Sequence, residues 1–177
     1  MFERPHKQLL TNRIEKEKRK FIQVLYGPRQ VGKTTLVKQF AKQSSLPVHY
    51  VTTDGVASPA GVWISQQWEA ARMLIPGTER KEAILIIDEI QKIENWSDAV
   101  KKEWDSDTLN GVSIKVILLG SSRLLIQQGL TESLAGRYES IYVGHWTFPE
   151  MEEAFRFSPE QPASNSHPTG TPPTPAG

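Results

Sequence analysis

A chain of 177 residues with 38% hydrophobic content can bury one good core, so a single domain is expected. The formal net charge is only +1, which excludes a global electrostatic case for nucleic acid or an anionic membrane. The absence of cysteine removes disulfides and thiolate zinc sites and fits a reducing cytoplasm. Histidines 6, 49, 145 and 167 are scattered without ligand-like spacing. The longest apolar runs, 83–87 and 116–119, fall far short of the roughly 20 residues a spanning helix needs. The start of the chain lacks the apolar stretch of a signal peptide. A soluble, cytoplasmic protein without membrane contact is expected.

Residues 9–20 combine Leu9, Leu10 and Ile14 with a mixed-charge run, Glu15 to Lys20. That pattern predicts a helix with a thin apolar stripe and a solvated outer face. The run 21–26 reads as a buried first strand, ended by Gly27-Pro28. Gly27-Pro28-Arg29-Gln30-Val31-Gly32-Lys33-Thr34 then follows as a glycine, four residues and Gly-Lys-Thr. Between a strand and a helix this is the P-loop (Walker A) pattern, which predicts a nucleoside triphosphate site spanning residues 27–35 and so including Thr35. Each position has a physical reason. Gly27 and Gly32 let backbone N–H groups approach phosphate oxygens where a Cβ would obstruct. Lys33 supplies a point charge for the β- and γ-phosphates. Thr34 offers a hydroxyl to Mg²⁺ and opens a helix whose first N–H groups face the same anion. Leu36, Val37, Phe40 and Ala41 continue that helix to about Gln43.

Residues 48–52 read as the second strand and Asp54-Gly55 as a turn. A helix is expected over 59–75, because Ile64, Trp68, Ala71 and Ile75 share one face. Trp63 and Trp68 read as core rather than as base-stacking residues, since no basic residues interleave with them. Residues 83–87 form a run of buried-strand character that delivers Asp88 and Glu89 at its carboxyl end, the Walker B pattern. Adjacent carboxylates near a core are costly to desolvate and call for a use. Asp88 is a candidate Mg²⁺ holder. Glu89 is a candidate general base or orienting group for the attacking water. Ile93, Trp96, Val100 and Trp104 define the inward face of another helix, which stops at Asn110-Gly111. Residues 114–119 are a further buried strand, with Ser121 and Ser122 at its carboxyl edge. Those serines fit an orienting role toward water and an ordinary helix N-cap equally well. Arg137 precedes a short strand, 138–143, and is a candidate γ-phosphate sensor or arginine finger, acting in its own chain or in a neighbour. From Ser158 onward the chain is dominated by Pro, Ser, Thr, Gly and Asn, with six of its twelve prolines between Pro159 and Pro175. Such a tail cannot bury a core and is expected to be disordered, leaving residues 12–157 as the domain.

The succession of GPRQVGKTTL, ILIIDEIQKI with Trp96, LLGSSRLL, ESLAGR and TFPEMEE resembles the prokaryotic AAA-type ATPases whose P-loop domain is normally followed by a C-terminal domain of unknown function. The resemblance spans about residues 22–155. It implies an α/β P-loop NTPase fold, a three-layer sandwich around a five-stranded parallel sheet ordered 5-1-4-3-2. It also implies Lys33 and Thr34 for phosphates and Mg²⁺, Asp88 and Glu89 for Walker B, Ser121 or Ser122 for sensor 1, and Arg137 from the Gly-Arg motif. The family pattern Pro-Leu-Ser-Phe is replaced here by His145-Trp146-Thr147-Phe148, and the family's C-terminal domain is expected to be missing. The expected activity is Mg-ATP binding with hydrolysis that drives or gates a protein or nucleic-acid partner through that missing domain, in a chain that could assemble with copies of itself. The alternatives are a nucleotide-dependent interaction module with little turnover, a truncated fragment that does not hydrolyse, and a small-molecule phosphotransferase. The phosphotransferase is disfavoured because no arginine-rich lid is visible and Glu89 suits water.

Overall fold

In the computed structural model, residues 3–56, 60–121, 126–128, 130 and 133–155 are described. Ser122 and the tail expected at 158–177 lie outside these residues. Residues Glu3–Trp146 form one compact unit.

The unit is built on five parallel strands: β1 (Ile22–Tyr26), β2 (Val48–Thr52), β3 (Glu82–Asp88), β4 (Ser113–Gly120) and β5 (Tyr138–Tyr142). Their order is β2-β3-β4-β1-β5, the expected 5-1-4-3-2 read from the other side. Parallel neighbours require crossovers, and the intervening helices cover both faces, so the central strands are apolar on both sides. The two-residue period divides them. Leu85, Ile87, Val116 and Leu118 join the core under α3 (Ala60–Arg72) and α4 (Trp96–Asn110). Ile84, Ile86, Ile117 and Leu119 face the core under α1 (Pro5–Thr11) and α2 (Lys33–Gln43).

Helix α3 buries Ile64, Trp68 and Ala71 completely, the face that the spacing indicated. It is held to α4 by polar bonds as well. Trp68 Nε1 donates to Asp107 Oδ2 (2.6 Å), and Arg72 Nε donates to Asp107 Oδ1 (2.8 Å). Arg72 Nη2 also reaches Glu103 Oε2 at 2.9 Å. Asp107 is only 1% exposed, so its charge is tolerable there because both oxygens are occupied.

The N-terminal segment departs from expectation. Instead of one helix over 9–20, α1 starts at Pro5, whose missing N–H suits a first turn, and passes into a π-helical turn, Asn12–Lys16. The buried Lys115 on β4 ends it by donating to the carbonyls of Ile14 (2.6 Å) and Glu17 (2.9 Å). The charged run is only partly a solvated face, because Arg19 lies 3.5 Å above the Trp104 ring and donates to the carbonyls of Trp104 and Ile114, each at 2.9 Å.

The second unit contains the helix α5 (Phe148–Phe155). It opens on a capping box, in which Glu150 Oε2 accepts from the Thr147 N–H (2.8 Å) and hydroxyl (3.0 Å).

Candidate functional site

The strand register brings the chemistry to one edge. Tyr26 of β1 pairs with Gly120 of β4, and Thr52 of β2 pairs with Asp88 of β3, so four carboxyl ends finish in one row. Loop 27–34 leaves β1 at that row and enters α2 through Gly32, whose φ of 91° and ψ of 19° lie in the left-handed region. Gly27 is required for closeness. A Cβ there would stand 2.0 Å from the backbone oxygen of Val143. Gln30 is left-handed as well, with φ 62°. Val31 points into the core, while Arg29, Gln30 and Thr35 are exposed and Pro28 is half-buried.

Lys33 folds back over the loop and donates to the carbonyls of Gly27 (2.8 Å) and Pro28 (2.6 Å). Burial holds its ammonium below the usual lysine range, opposed by the carboxylates of Glu89 and Asp88. A cation there is poised for a multiply charged anion at the amino end of α2. The next residue, Thr34, donates its hydroxyl to Asp88 Oδ2 at 2.7 Å. Asp88 is almost fully engaged. Its Oδ2 also accepts from the Tyr50 hydroxyl (2.8 Å), and its Oδ1 accepts the Glu89 N–H (2.9 Å). Burial, with the hydrogen bond to Asp88, pushes the Tyr50 phenol well above the usual tyrosine range. Thr34 and Asp88 are oxygen donors, as a hard divalent cation requires. Among the described residues there is no group of three or more His, Cys, Asp or Glu that could hold a metal ion.

Glu89 sits in the left-handed region at φ 57° and ψ 37°. The Thr53 hydroxyl holds its carbonyl at 2.7 Å, and the turn Ile90–Lys92 follows. Its carboxylate Oε2 accepts from Ser121 Oγ (2.9 Å) and Gln91 Nε2 (2.5 Å). Thus Lys33, Thr34, Asp88, Glu89 and Ser121 converge on the carboxyl edge.

Arg137 does not join them. It immediately precedes β5, its carbonyl accepts the Ile22 N–H at 2.8 Å, and it therefore stands at the amino edge of the parallel sheet. Its guanidinium donates to both carboxylate oxygens of Asp105, at 2.7 and 3.0 Å, and holds that carboxyl below the usual range. Topology thus sets Arg137 at the edge of the sheet opposite Lys33, Thr34 and Asp88.

A family model described as an AAA domain matches residues 19–152, well over half of the chain. The chain belongs to the AAA domain family. No curated protein matches it. For an AAA domain the parallel sheet of order β2-β3-β4-β1-β5 is the consistent architecture, and no described helix is long and apolar enough to cross a membrane.

Sequence reasoning on this AAA domain did not single out Tyr50, Thr53 or Gln91. Tyr50 sits two residues before the register partner of Asp88, so placing β2 beside β3 would have brought it forward. Gln91 carried only its position two residues after Glu89.

Proposed function

We propose that this AAA domain binds ATP with Mg²⁺ in a P-loop formed by residues 27–35 and hydrolyses it to ADP and phosphate. One observation carries the reading: the Lys33-Thr34 end of the loop and the Asp88-Glu89 pair meet at one sheet edge, joined by the 2.7 Å bond from Thr34 to Asp88. Loop N–H groups and the amino end of α2 cradle the phosphates, and Lys33 exchanges the carbonyls of Gly27 and Pro28 for β- and γ-phosphate oxygens. Thr34 and Asp88 would hold Mg²⁺, which when bound neutralises charge on the phosphates. Glu89 orients a water and takes its proton as the water oxygen bonds to the γ-phosphorus and the bond to the β-phosphate oxygen breaks. Ser121 keeps the Glu89 carboxylate at that edge. Any phosphate contact made by Arg137 is with nucleotide held by another copy, because Arg137 occupies the amino edge.

The test pairs titration calorimetry with phosphate release. Glu89→Gln keeps size and hydrogen-bonding capacity but loses the proton-accepting charge, so Mg-ATP affinity should hold while turnover falls by ~10²- to 10⁴-fold. Lys33→Ala should weaken binding severely. Unchanged affinity in folded Lys33→Ala would sink the P-loop assignment. Tight binding by the wild-type chain without phosphate release would replace hydrolysis by a nucleotide-operated switch.

A further inference from the structure

Two local costs meet at the side chain of Glu89. Its backbone occupies the left-handed region, which non-glycine residues adopt rarely. Beside it, Gln91 buries its carbonyl oxygen Oε1, which has no hydrogen-bond partner among the described residues. Buried acceptors are almost always paired, so an unpaired one calls for a reason. The reason lies at the other end of the same amide. Only the –NH₂ group can donate to a carboxylate, and Gln91 Nε2 reaches Glu89 Oε2 at 2.5 Å and Ser121 Oγ at 3.1 Å. Turning the amide over would set its carbonyl against the carboxylate. The grip on Glu89 therefore dictates that Oε1 points the opposite way, toward Gly120. There a Cβ on residue 120 would lie 2.8 Å from Oε1 and 2.5 Å from the Ile126 side chain, so the glycine makes room for both.

We propose that Gln91 is a positioning residue for hydrolysis, holding the Glu89 carboxylate, together with Ser121, in the orientation that serves the attacking water. Both donors converge on Oε2, which fixes the carboxylate plane and leaves Oε1 of Glu89 for the water. The inference rests on the hydrolytic reading above. A residue kept for stability would be paired at both ends of its amide, whereas Gln91 is paired only where it touches Glu89 and Ser121.

Gln91→Leu removes the donor at similar volume, and Gln91→Glu keeps the length but sets a second carboxylate against the first. In both variants we expect the Mg-ATP dissociation constant and KM within about threefold of wild type and kcat lower on the order of 10²-fold, the usual consequence of a misplaced catalytic group. The melting temperature of Gln91→Leu should not fall, since the substitution also removes a buried unpaired carbonyl. In protein labelled with ¹³C at the glutamate carboxyls, the Glu89 resonance, assigned through Glu89→Gln, should move in Gln91→Leu. An unchanged kcat overturns the proposal, as does a lower melting temperature with kcat and KM altered together. An unmoved Glu89 resonance overturns it too. If the wild-type chain releases no phosphate, the hydrolytic reading fails by itself, and the carboxyl resonance alone then decides whether Gln91 holds Glu89.

Discussion

Gly27 illustrates how one missing side chain sets the geometry of the loop. Its backbone is pressed against the end of β5, where the Val143 N–H donates to the Tyr26 carbonyl at 2.8 Å, and an added Cβ would meet the Val143 oxygen at 2.0 Å. The neighbour is backbone and cannot rotate away. Gly27→Ala must therefore push the loop off β5. Overpacking of this kind typically costs about 1–3 kcal/mol, and the displaced N–H groups should lose phosphate as well. Thermal melting should show the destabilisation, and calorimetry a weaker Mg-ATP constant. A variant that melts and binds like wild type would refute the close-approach argument. The same position was legible beforehand, because a glycine separated by four residues from Gly-Lys-Thr has a chemical meaning. Gln91 was not legible, because its role depends on a turn bringing its amide under Glu89 and beside Ser121, contacts that no spacing rule encodes.

Between elements, polar pairing adds to apolar packing where α3 meets α4. Asp107 accepts from Trp68 and Arg72, and its removal in Asp107→Ala would leave a buried indole N–H and a mostly buried guanidinium without their acceptor. Breaking such a pair costs roughly 3–5 kcal/mol, toward the lower end here because Arg72 is 20% exposed and keeps Glu69 and Glu103. Urea denaturation should report a lower midpoint with an unchanged slope. An unaltered midpoint would mean that the network contributes nothing to stability. The five strands and α2 to α4 were readable from period and turn chemistry, since apolar runs bounded by Gly and Pro leave few alternatives. The N-terminal helix was misplaced because its end is set by Lys115, which is remote in sequence and donates to two carbonyls at its close. The edge at which Arg137 stands was not legible for a related reason. A motif names a residue type, but the side of the sheet on which it falls follows from strand direction.

For the Glu3–Trp146 unit as a whole, the N-terminal segment is fastened at both edges of the sheet. At the carboxyl edge the buried Arg4 donates to the carbonyls of Val31 (3.0 Å) and Gly144 (3.2 Å) and lies 5.5 Å from the Trp146 ring centre. Toward the amino edge Lys115 grips Ile14 and Glu17, while Leu10 and Ile14 are sealed into the core beneath α2. One carbonyl of loop 27–34 is thus a structural partner of a residue far outside it. Ligand held by the loop opposes any opening that frees Arg4, and linkage passes that free energy to the amides of α1. Saturating the site at about 100 times the dissociation constant lends up to about 2.7 kcal/mol, so deuterium uptake over residues 5–11 should slow by up to roughly a hundredfold. Protection of loop 27–34 with unchanged uptake in α1 would show that the tether carries no such load. If α1 does respond, the first turn of the chain registers occupancy of a site to which it contributes no phosphate ligand.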